Sequence, residues 1–309
     1  MKFIVTKTNI FKTLSHLQSI VSKKNTLPIL SNILIEAENN TLTLSATDMD
    51  ISIKETMACN IIDAGSTTLN AQMIFDIIKK LPDTSEIEFI SNDGKILTIR
   101  SNVSKFSLSC LPKDEFPLIE TNTNNSKKIT VKSQTILNLI NKTKFAISNE
   151  ETRYFLNGLY FNISSNEKMS NLTFVGTDGH RLAFTKTSID GLKEDFRVIV
   201  PRKAVMELQK IISSNDEEIT LNVSQNQINV VGSVFSFTSK LIEGNYPDYE
   251  KVFPVGDESK LIVDKNEFNT ALSRASVLSN EKYRGIRLSL NKDLLKIEAN
   301  NPEKEEGEE

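Results

Sequence analysis

Few residues in this 309-residue chain could do chemistry. There are two histidines, His16 and His180, and two cysteines, Cys59 and Cys110. His180 stands in the string Thr177-Asp178-Gly179-His180-Arg181. A carboxylate close to an imidazole could serve acid–base hydrolysis, but that chemistry also needs a nucleophile or a metal-bound water. The sequence has no His/Cys cluster at metal-ligand spacing, no GxxxxGK phosphate loop, no dinucleotide fingerprint and no G-x-S-x-G elbow. A hydrolase or nuclease built on Asp178 and His180 therefore lacks its reactive group, and neither cofactor nor metal is expected. Read locally, the string is a hairpin turn with Asp-Gly at its tip and His-Arg entering the next strand. Thr47-Asp48-Met49-Asp50 occupies the matching place earlier in the chain. His16 follows a helical pattern with Ile10, Leu14 and Leu17, and is expected at a surface or half-buried. The cysteines fall in strand-like segments and read as buried structural thiols in a reducing cytosol.

The elements that carry these residues repeat. A strand end is followed five residues later by the first apolar residue of a helix at Val5/Ile10, Leu69/Ile74, Val131/Ile136, Val200/Val205 and Val263/Phe268. Successive strand ends lie 64, 62, 69 and 63 residues apart, the spacing of a copied module. After each helix come short alternating or apolar runs bounded by Asn, Asp, Gly and Ser, such as Ile33-Leu34-Ile35, Thr41-Leu42-Thr43-Leu44 and Ile51-Ser52-Ile53 in the first copy. These read as antiparallel strands, with Asp93-Gly94 as a two-residue hairpin turn. The module is β-α-β-β-β and the class α+β. One copy cannot bury both a helix face and a sheet face, so copies are expected to pair into domains. The expected domains are 1–120, 127–250 and 259–309, joined by polar, Pro-containing linkers near Lys113–Lys128 and Tyr246–Ser259. The fifth module starts with a strand at Leu261-Ile262-Val263, and a sixth, expected near residue 328, is not in this sequence. The third domain is thus expected to hold only its N-terminal half and to expose apolar surface. No apolar run approaches bilayer length and the N-terminus has no signal-peptide core, so a cytoplasmic location is expected.

The net charge of −3 conceals an asymmetry. In the helical windows 7–24, 71–81, 132–144, 202–212 and 265–275, basic residues number 14 and acidic residues 3; the remainder holds 23 and 37. Basic helices on an acidic body can be solvated faces. Repeated in all five copies, they point instead to one surface that attracts a polyanion through its phosphates with little base reading.

Several strings spread along the chain carry a resemblance: Thr26-Leu27-Pro28-Ile29-Leu30, Arg153-Tyr154-Phe155-Leu156-Asn157-Gly158, Val175-Gly176-Thr177-Asp178-Gly179-His180-Arg181-Leu182-Ala183, Val198-Ile199-Val200-Pro201-Arg202-Lys203, Phe237-Thr238-Ser239-Lys240-Leu241, Tyr246-Pro247-Asp248-Tyr249 and Leu278-Ser279-Asn280-Glu281-Lys282. Together they resemble the β subunit of bacterial DNA polymerase III, the sliding clamp. The resemblance implies a DNA-clamp fold with helices inside and sheets outside, and a non-catalytic processivity factor. It implies double-stranded DNA, the polymerase III α subunit and the clamp loader as partners, the proteins binding through short motifs. It also implies a head-to-tail homodimeric ring.

The implied DNA-facing residues are Lys24, Lys79, Tyr154, Phe155, Arg202 and Lys203; for Tyr154 and Phe155 core packing is the alternative. The implied peptide pocket is Arg153, Leu156, Thr177, Gly179, His180, Arg181, Leu182, Pro247, Lys251 and Val252, with apolar walls and His180 and Arg181 as donors at the rim. The implied ring joint uses Arg100, Lys105, Phe106 and Leu108 on one side and Val277, Leu278, Glu305 and Glu306 on the other. Read alone, the acidic end is a solvated disordered run. The alternative function is a shortened clamp that presents the peptide pocket without closing a ring.

Overall fold

Four modules are laid out as the spacing predicts. The first is β1 (Lys2–Thr6), α1 (Lys7–Ile20), β2 (Asn32–Glu38), β3 (Thr41–Thr47) and β4 (Ile51–Ala58), with an additional short strand β5 (Asn60–Asp63). The second is β6 (Gly65–Asn70), α2 (Ala71–Lys80), β7 (Glu86–Ile90), β8 (Ile96–Ser101) and β9 (Ser104–Ser109). The third is β10 (Lys127–Lys132), α3 (Ser133–Thr143), β11 (Gly158–Ser165), β12 (Ser170–Thr177) and β13 (Leu182–Ile189). The fourth is β14 (Phe196–Pro201), α4 (Arg202–Ile211), β15 (Glu218–Val223), β16 (Gln227–Val231) and β17 (Phe235–Lys240). The computed structural model describes residues 1–21, 27–117, 119, 126–165, 170–189, 195–212, 218–253, 256, 260–279, 285–292, 294–301 and 305–308. It forms two compact units, Met1–Tyr249 and Glu250–Glu309.

Modules pair by exchanging their first strands. In the five-stranded sheet β5-β1-β7-β8-β9, the first strand of module one lies beside the sheet strands of module two. In return β6, the first strand of module two, pairs with β2. Modules three and four do the same: β10 pairs with β15 and β14 with β11. Each of α1 to α4 is therefore preceded by a strand anchored in its neighbour's sheet, and neither module of a pair can be completed without the other. Helices follow suit: α1 packs on α2, α3 on α4, and α1 on α4. The row α2-α1-α4-α3 is unbroken through the first unit.

The two module pairs fuse edge to edge. Strand β17 pairs with β4 from Phe235↔Glu55 to Ser239↔Ile51, giving the eight-stranded sheet β10-β15-β16-β17-β4-β3-β2-β6. One apolar core runs through both pairs, with the Phe3–Phe89 stack at 4.7 Å in the first and the Phe161–Phe174 stack in the second. Each fully buried phenylalanine contributes about 1.5–3 kcal/mol. At this seam Glu55 is buried and accepts from Thr13 Oγ1 at 2.7 Å, while its other oxygen meets His16 Nδ1 at 2.7 Å. His16 is thus buried, deeper than the expected surface or half-buried position, because β4 brings a carboxylate to α1.

Other expectations are corrected. Helix α1 ends at Ile20, where Val21 turns extended, and Lys132 and Lys144 flank α3 rather than belong to it. The five helices proper carry ten basic and three acidic residues, a smaller surplus than the windows suggested. The loop holding Asp93-Gly94 is longer than a two-residue turn. Asp93 Oδ1 accepts from the N–H groups of Lys95 and Ile96, and Gly94 takes a φ of +72°. Cys59 and Cys110 are half-buried, and burial pushes both thiols up, keeping them protonated. The linkers are docked at their ends. Phe116 packs with Ile29, Leu30 and Leu34, and Tyr246 stacks on Tyr160 at 4.6 Å.

In the second unit, α5 (Lys265–Ser276) is capped by Asp264 and packs on β19 (Leu294–Asn301), which lies between β18 (Arg287–Asn291) and β20 (Glu305–Glu308). Two expectations fail here. Leu261–Val263 is no strand and is exposed, because a module's first strand needs its partner module's sheet, and none is present among the described residues. The described part of the acidic end is a strand rather than a disordered run: Glu305–Glu308 pairs with β19, from Asn301↔Glu305 to Glu298↔Glu308, while Glu303 and Glu309 lie outside the described residues.

Replacing Glu55 with Leu should leave Thr13 and His16 buried without their acceptor and cost about 1–3 kcal/mol. Urea unfolding of the Glu55→Leu protein checks this; an unchanged midpoint would show that the seam does not depend on the carboxylate.

Candidate DNA-facing helix row and peptide site

The surface of the helix row follows from helical periodicity. Helix α1 buries Ile10, Leu14 and Leu17 and exposes Thr8, Lys12 and Ser15. Exposed or half-exposed positions on the other helices are Gln72, Asp76 and Lys79 on α2, Gln134, Asn138 and Lys142 on α3, and Lys203, Met206 and Lys210 on α4. Polar bonds stitch neighbouring helices: Gln18 to Gln72 at 2.7 Å, Ser19 to Glu207, and Gln209 to Asn141 at 2.7 Å. The row is lined by amides, hydroxyls and scattered ammonium groups, which can approach phosphates without gripping any one firmly.

The implied DNA-facing residues meet different fates. Lys24 lies outside the described residues. Lys79 is exposed on the last turn of α2, its ammonium 5.7 Å from the Phe75 ring centre. Tyr154 is 56% exposed and Phe155 half-buried, packed edge to face at 5.8 Å, so neither is a core residue. Both lie on the short 3-10 helix Glu151–Leu156. The Arg202 N–H donates to Asn157 O at 2.9 Å, tying this segment to the start of α4. The Arg202 side chain donates to Ile147 O at 3.2 Å. Lys203 donates to Ile20 O at 2.9 Å and pairs with Asp48 at 2.5 Å, so part of its charge is spent on the seam between module pairs. Lys12, Lys142 and Lys210 are exposed on the row although sequence reading singled out none of them; the i, i+4 spacing from Thr8 to Lys12 was the available signal.

The turn 177–181 is fastened by its own side chains. Thr177 Oγ1 donates to Arg181 O at 2.7 Å and accepts from Gly179 N–H at 3.1 Å. Asp178 Oδ1 accepts from the His180 and Arg181 N–H groups at 3.0 Å each, and Oδ2 accepts from Arg181 Nε at 3.0 Å. Partial desolvation opposes ionisation of Asp178, but these bonds outweigh it and hold the carboxyl below the usual aspartate value. Gly179 has a φ of +85°, and the Arg153 guanidinium rests where a side chain would begin. Arg181 also donates to Phe145 O at 2.8 Å and lies 5.7 Å from that ring's centre, so it is an anchored residue rather than a free rim donor. His180 is exposed.

Thus Arg153, Thr177, Gly179, Arg181 and Leu182 come together. Leu182 is half-buried at the start of β13, and Leu156 is only 3% exposed, so Leu156 is a buried residue rather than an open apolar wall. Pro247 is exposed after Tyr246, whose hydroxyl donates to Val175 O at 3.3 Å. Lys251 and Val252 are exposed on the 3-10 helix Tyr249–Val252, in the second unit. Phe145 and Phe184, 56% and 39% exposed, are apolar surface that sequence reading missed. Two grooves lie elsewhere: one of about 1080 Å³ along Arg197, Ile199, Asn226 and Tyr246, the other of about 420 Å³ beside Lys12, His16 and Glu55. None of the implied pocket residues lines either.

For the ring joint, β9 is an edge strand, bonded among the described strands to β8 alone, and it carries exposed Lys105, half-buried Phe106 and buried Leu108. Arg100 is opposite Lys105 on β8. In the second unit Val277 is 79% exposed and Leu278 half-buried, and Glu305 and Glu306 lie on β20.

Two outcomes test the turn. Gly179→Ala should cost about 1–2 kcal/mol from the left-handed backbone alone and displace Arg153, read by thermal unfolding. Because the folded Asp178 value lies below the unfolded one, its fastening is fully present above the ordinary aspartate range and is lost as pH falls through the lower folded value. The His180 and Arg181 amides should therefore stay protected in NMR exchange down to pH about 4; release near pH 5 would contradict the network.

Comparison with known proteins follows the same division. Residues 1–120, 130–248 and 250–309 match the N-terminal, central and C-terminal domains of the DNA polymerase III beta subunit. The beta sliding clamp of Escherichia coli K12 is 37% identical over 310 residues, covering 100% of this chain and 83% of that protein. The Proteus mirabilis clamp is 38% identical with the same coverage. The crystal structure of the Bartonella birtlesii clamp bound to griselimycin is 39% identical, with a TM-score of 0.91 over 100% of this chain and 83% of that one. This chain belongs to the DNA polymerase III beta subunit family, the β sliding clamps, non-catalytic processivity factors of that polymerase.

Proposed function

We propose that this chain supplies an arc of a ring whose helix row faces duplex DNA, and that it tethers the polymerase III α subunit and the clamp loader through a short-motif site around the turn 177–181. The observation that carries this reading is the unbroken row α2-α1-α4-α3 with its amide, hydroxyl and lysine surface. Scattered charges give affinity through released counterions and no sequence preference. A closed ring needs no more, since it leaves DNA only by opening or by running off an end.

Lys24, Lys79, Tyr154, Phe155, Arg202 and Lys203 are the proposed DNA contacts, with Lys203 shared between DNA and Asp48. Arg153, Leu156, Thr177, Gly179, His180, Arg181, Leu182, Pro247, Lys251 and Val252 are the proposed peptide site. Its exposed apolar residues would anchor a short motif while the fastened turn keeps the entropy of ordering low. The proposed head-to-tail joint sets Arg100, Lys105, Phe106 and Leu108 against Val277, Leu278, Glu305 and Glu306 of a second copy. The open edge of β9 can accept a strand, and the opposite charges would select orientation. The proposed domains are 1–120, 127–250 and 259–309, the last holding one module. The proposed site of action is the cytoplasm; no helix among the described residues is long and apolar enough to cross a membrane.

A second reading, a chain that offers the peptide site without closing a ring, is favoured by the exposed, unpaired segment Leu261–Val263, where Ile262 is 91% exposed. Loading on nicked circular DNA followed by linearisation separates the two. A ring is retained on the circle and lost from the linear form, whereas a surface binder is equally retained on both. For the peptide site, Leu182→Ala combined with Val252→Ala should lower affinity for a clamp-binding peptide at least tenfold by fluorescence anisotropy; unchanged affinity would remove these residues from the site.

A further inference from the structure

Lys7 was counted among the basic helix residues, yet it does not face solvent. It is 8% exposed. Its ammonium donates to Lys79 O at 3.2 Å, to Leu81 O at 2.5 Å and to Asp83 Oδ1 at 2.8 Å. All three ammonium hydrogens are thereby used. Two of the acceptors are carbonyls at the C-terminal end of α2, where the helix leaves backbone oxygens without partners and its dipole is negative. Beside this cap the Phe11 and Phe75 rings stack at 5.4 Å and 15° between α1 and α2. Lys7 lies 5.7 Å from the Phe11 ring centre, and Lys79 lies 5.7 Å from that of Phe75. The order Lys7, Phe11, Phe75, Lys79 is a continuous ladder from the first turn of α1 to the last turn of α2. It holds Lys79 at both ends, its carbonyl by the Lys7 ammonium and its own ammonium by the Phe75 face.

We propose that Lys7 is a positioning residue for DNA binding: by capping α2 and completing the ring ladder with Phe11 and Phe75, it fixes the place of the Lys79 ammonium on the helix row without touching DNA itself. This rests on the reading of Lys79 as a DNA contact. The arrangement explains why a lysine, with its hydrocarbon stem and three-donor tip, stands buried at the first residue of α1. It also explains why Asp83, exposed and beyond the helix end, has its carboxyl held below the usual range by the hydrogen bond and charge of Lys7.

The test measures binding of the full chain to a short linear duplex across a salt series, for wild type, Lys79→Ala, Lys7→Met and the double variant. Lys79→Ala should reduce the slope of log K against log salt by about 0.9, the loss of one phosphate contact. Lys7→Met should reduce it by a similar amount, and the double variant should show no further reduction. A Lys7→Met slope equal to wild type, or a double variant whose loss is the sum of the two, would overturn the proposal while leaving Lys79 as a contact. A Lys79→Ala slope equal to wild type would defeat the DNA-facing assignment itself and the proposal with it. Should Lys7→Met not fold, Phe11→Leu replaces it: the same non-additive loss with Lys79→Ala is expected, and an additive or absent loss overturns the ladder.

Discussion

Strand exchange between modules is the constraint on which the rest of the structure depends. A β-α-β-β-β unit with its own first strand in its own sheet would leave the helix poorly covered. By placing β1 beside β7 and β6 beside β2, two modules lock their helices side by side against both sheets. The same exchange, β10 with β15 and β14 with β11, builds the second pair. Joining the pairs through β4 and β17 then extends one sheet and one helix row together. The polar surface of that row is a consequence of chain pairing, because the exchange decides which helix faces are covered. Leu261–Val263, which pairs with no sheet among the described residues, shows the converse: strong β propensity alone does not make it a strand.

The repeat also shows how one turn serves two ends. Thr47 Oγ1 donates to Ile51 O and accepts from Met49 N–H, and Asp48 Oδ1 accepts from the Asp50 and Ile51 N–H groups, the same pattern found at Thr177 and Asp178. Met49 takes a φ of +77°, the place held by Gly179. The difference lies in the second carboxylate oxygen. Asp48 Oδ2 is bonded to Lys203 across the seam, whereas Asp178 Oδ2 is bonded to Arg181 within its own turn. In the first copy the turn is a clasp between module pairs. In the third it is closed on itself, and Arg153 can lie over Gly179.

Much of this was legible in the sequence. The five-residue offset from strand end to helix marks the modules because periodicity and turn chemistry are local. The strings around Thr177 and Val198 carry the family because one is a turn fastened by its own side chains and the other is the junction where β14 passes directly into α4. Strand exchange was not legible, since either sheet satisfies the alternation of β1 or β6. Nor was the burial of Lys7 and His16, because a charged residue at a helix position says nothing of the acceptors that a distant segment brings to it. The helical charge surplus was overstated because the windows ran past the helix ends: α1 stops at Ile20, and Lys132 and Lys144 flank α3. Phe145 was hidden by its place just past the polar end of a helix window, in the short 3-10 turn Lys144–Ala146.

The central claim is that the helix row, and no other face of the first unit, lies along DNA. Photo-crosslinking to nicked circular DNA tests it most directly, with a photoreactive group placed singly at Ser15 or Asn138 on the row and at Ser107 or Lys186 on the sheets, all exposed. Strong crosslinks from the two helix positions and background levels from the two strand positions are the predicted result. Equal crosslinking from both sets, or crosslinks from the strands alone, would contradict it.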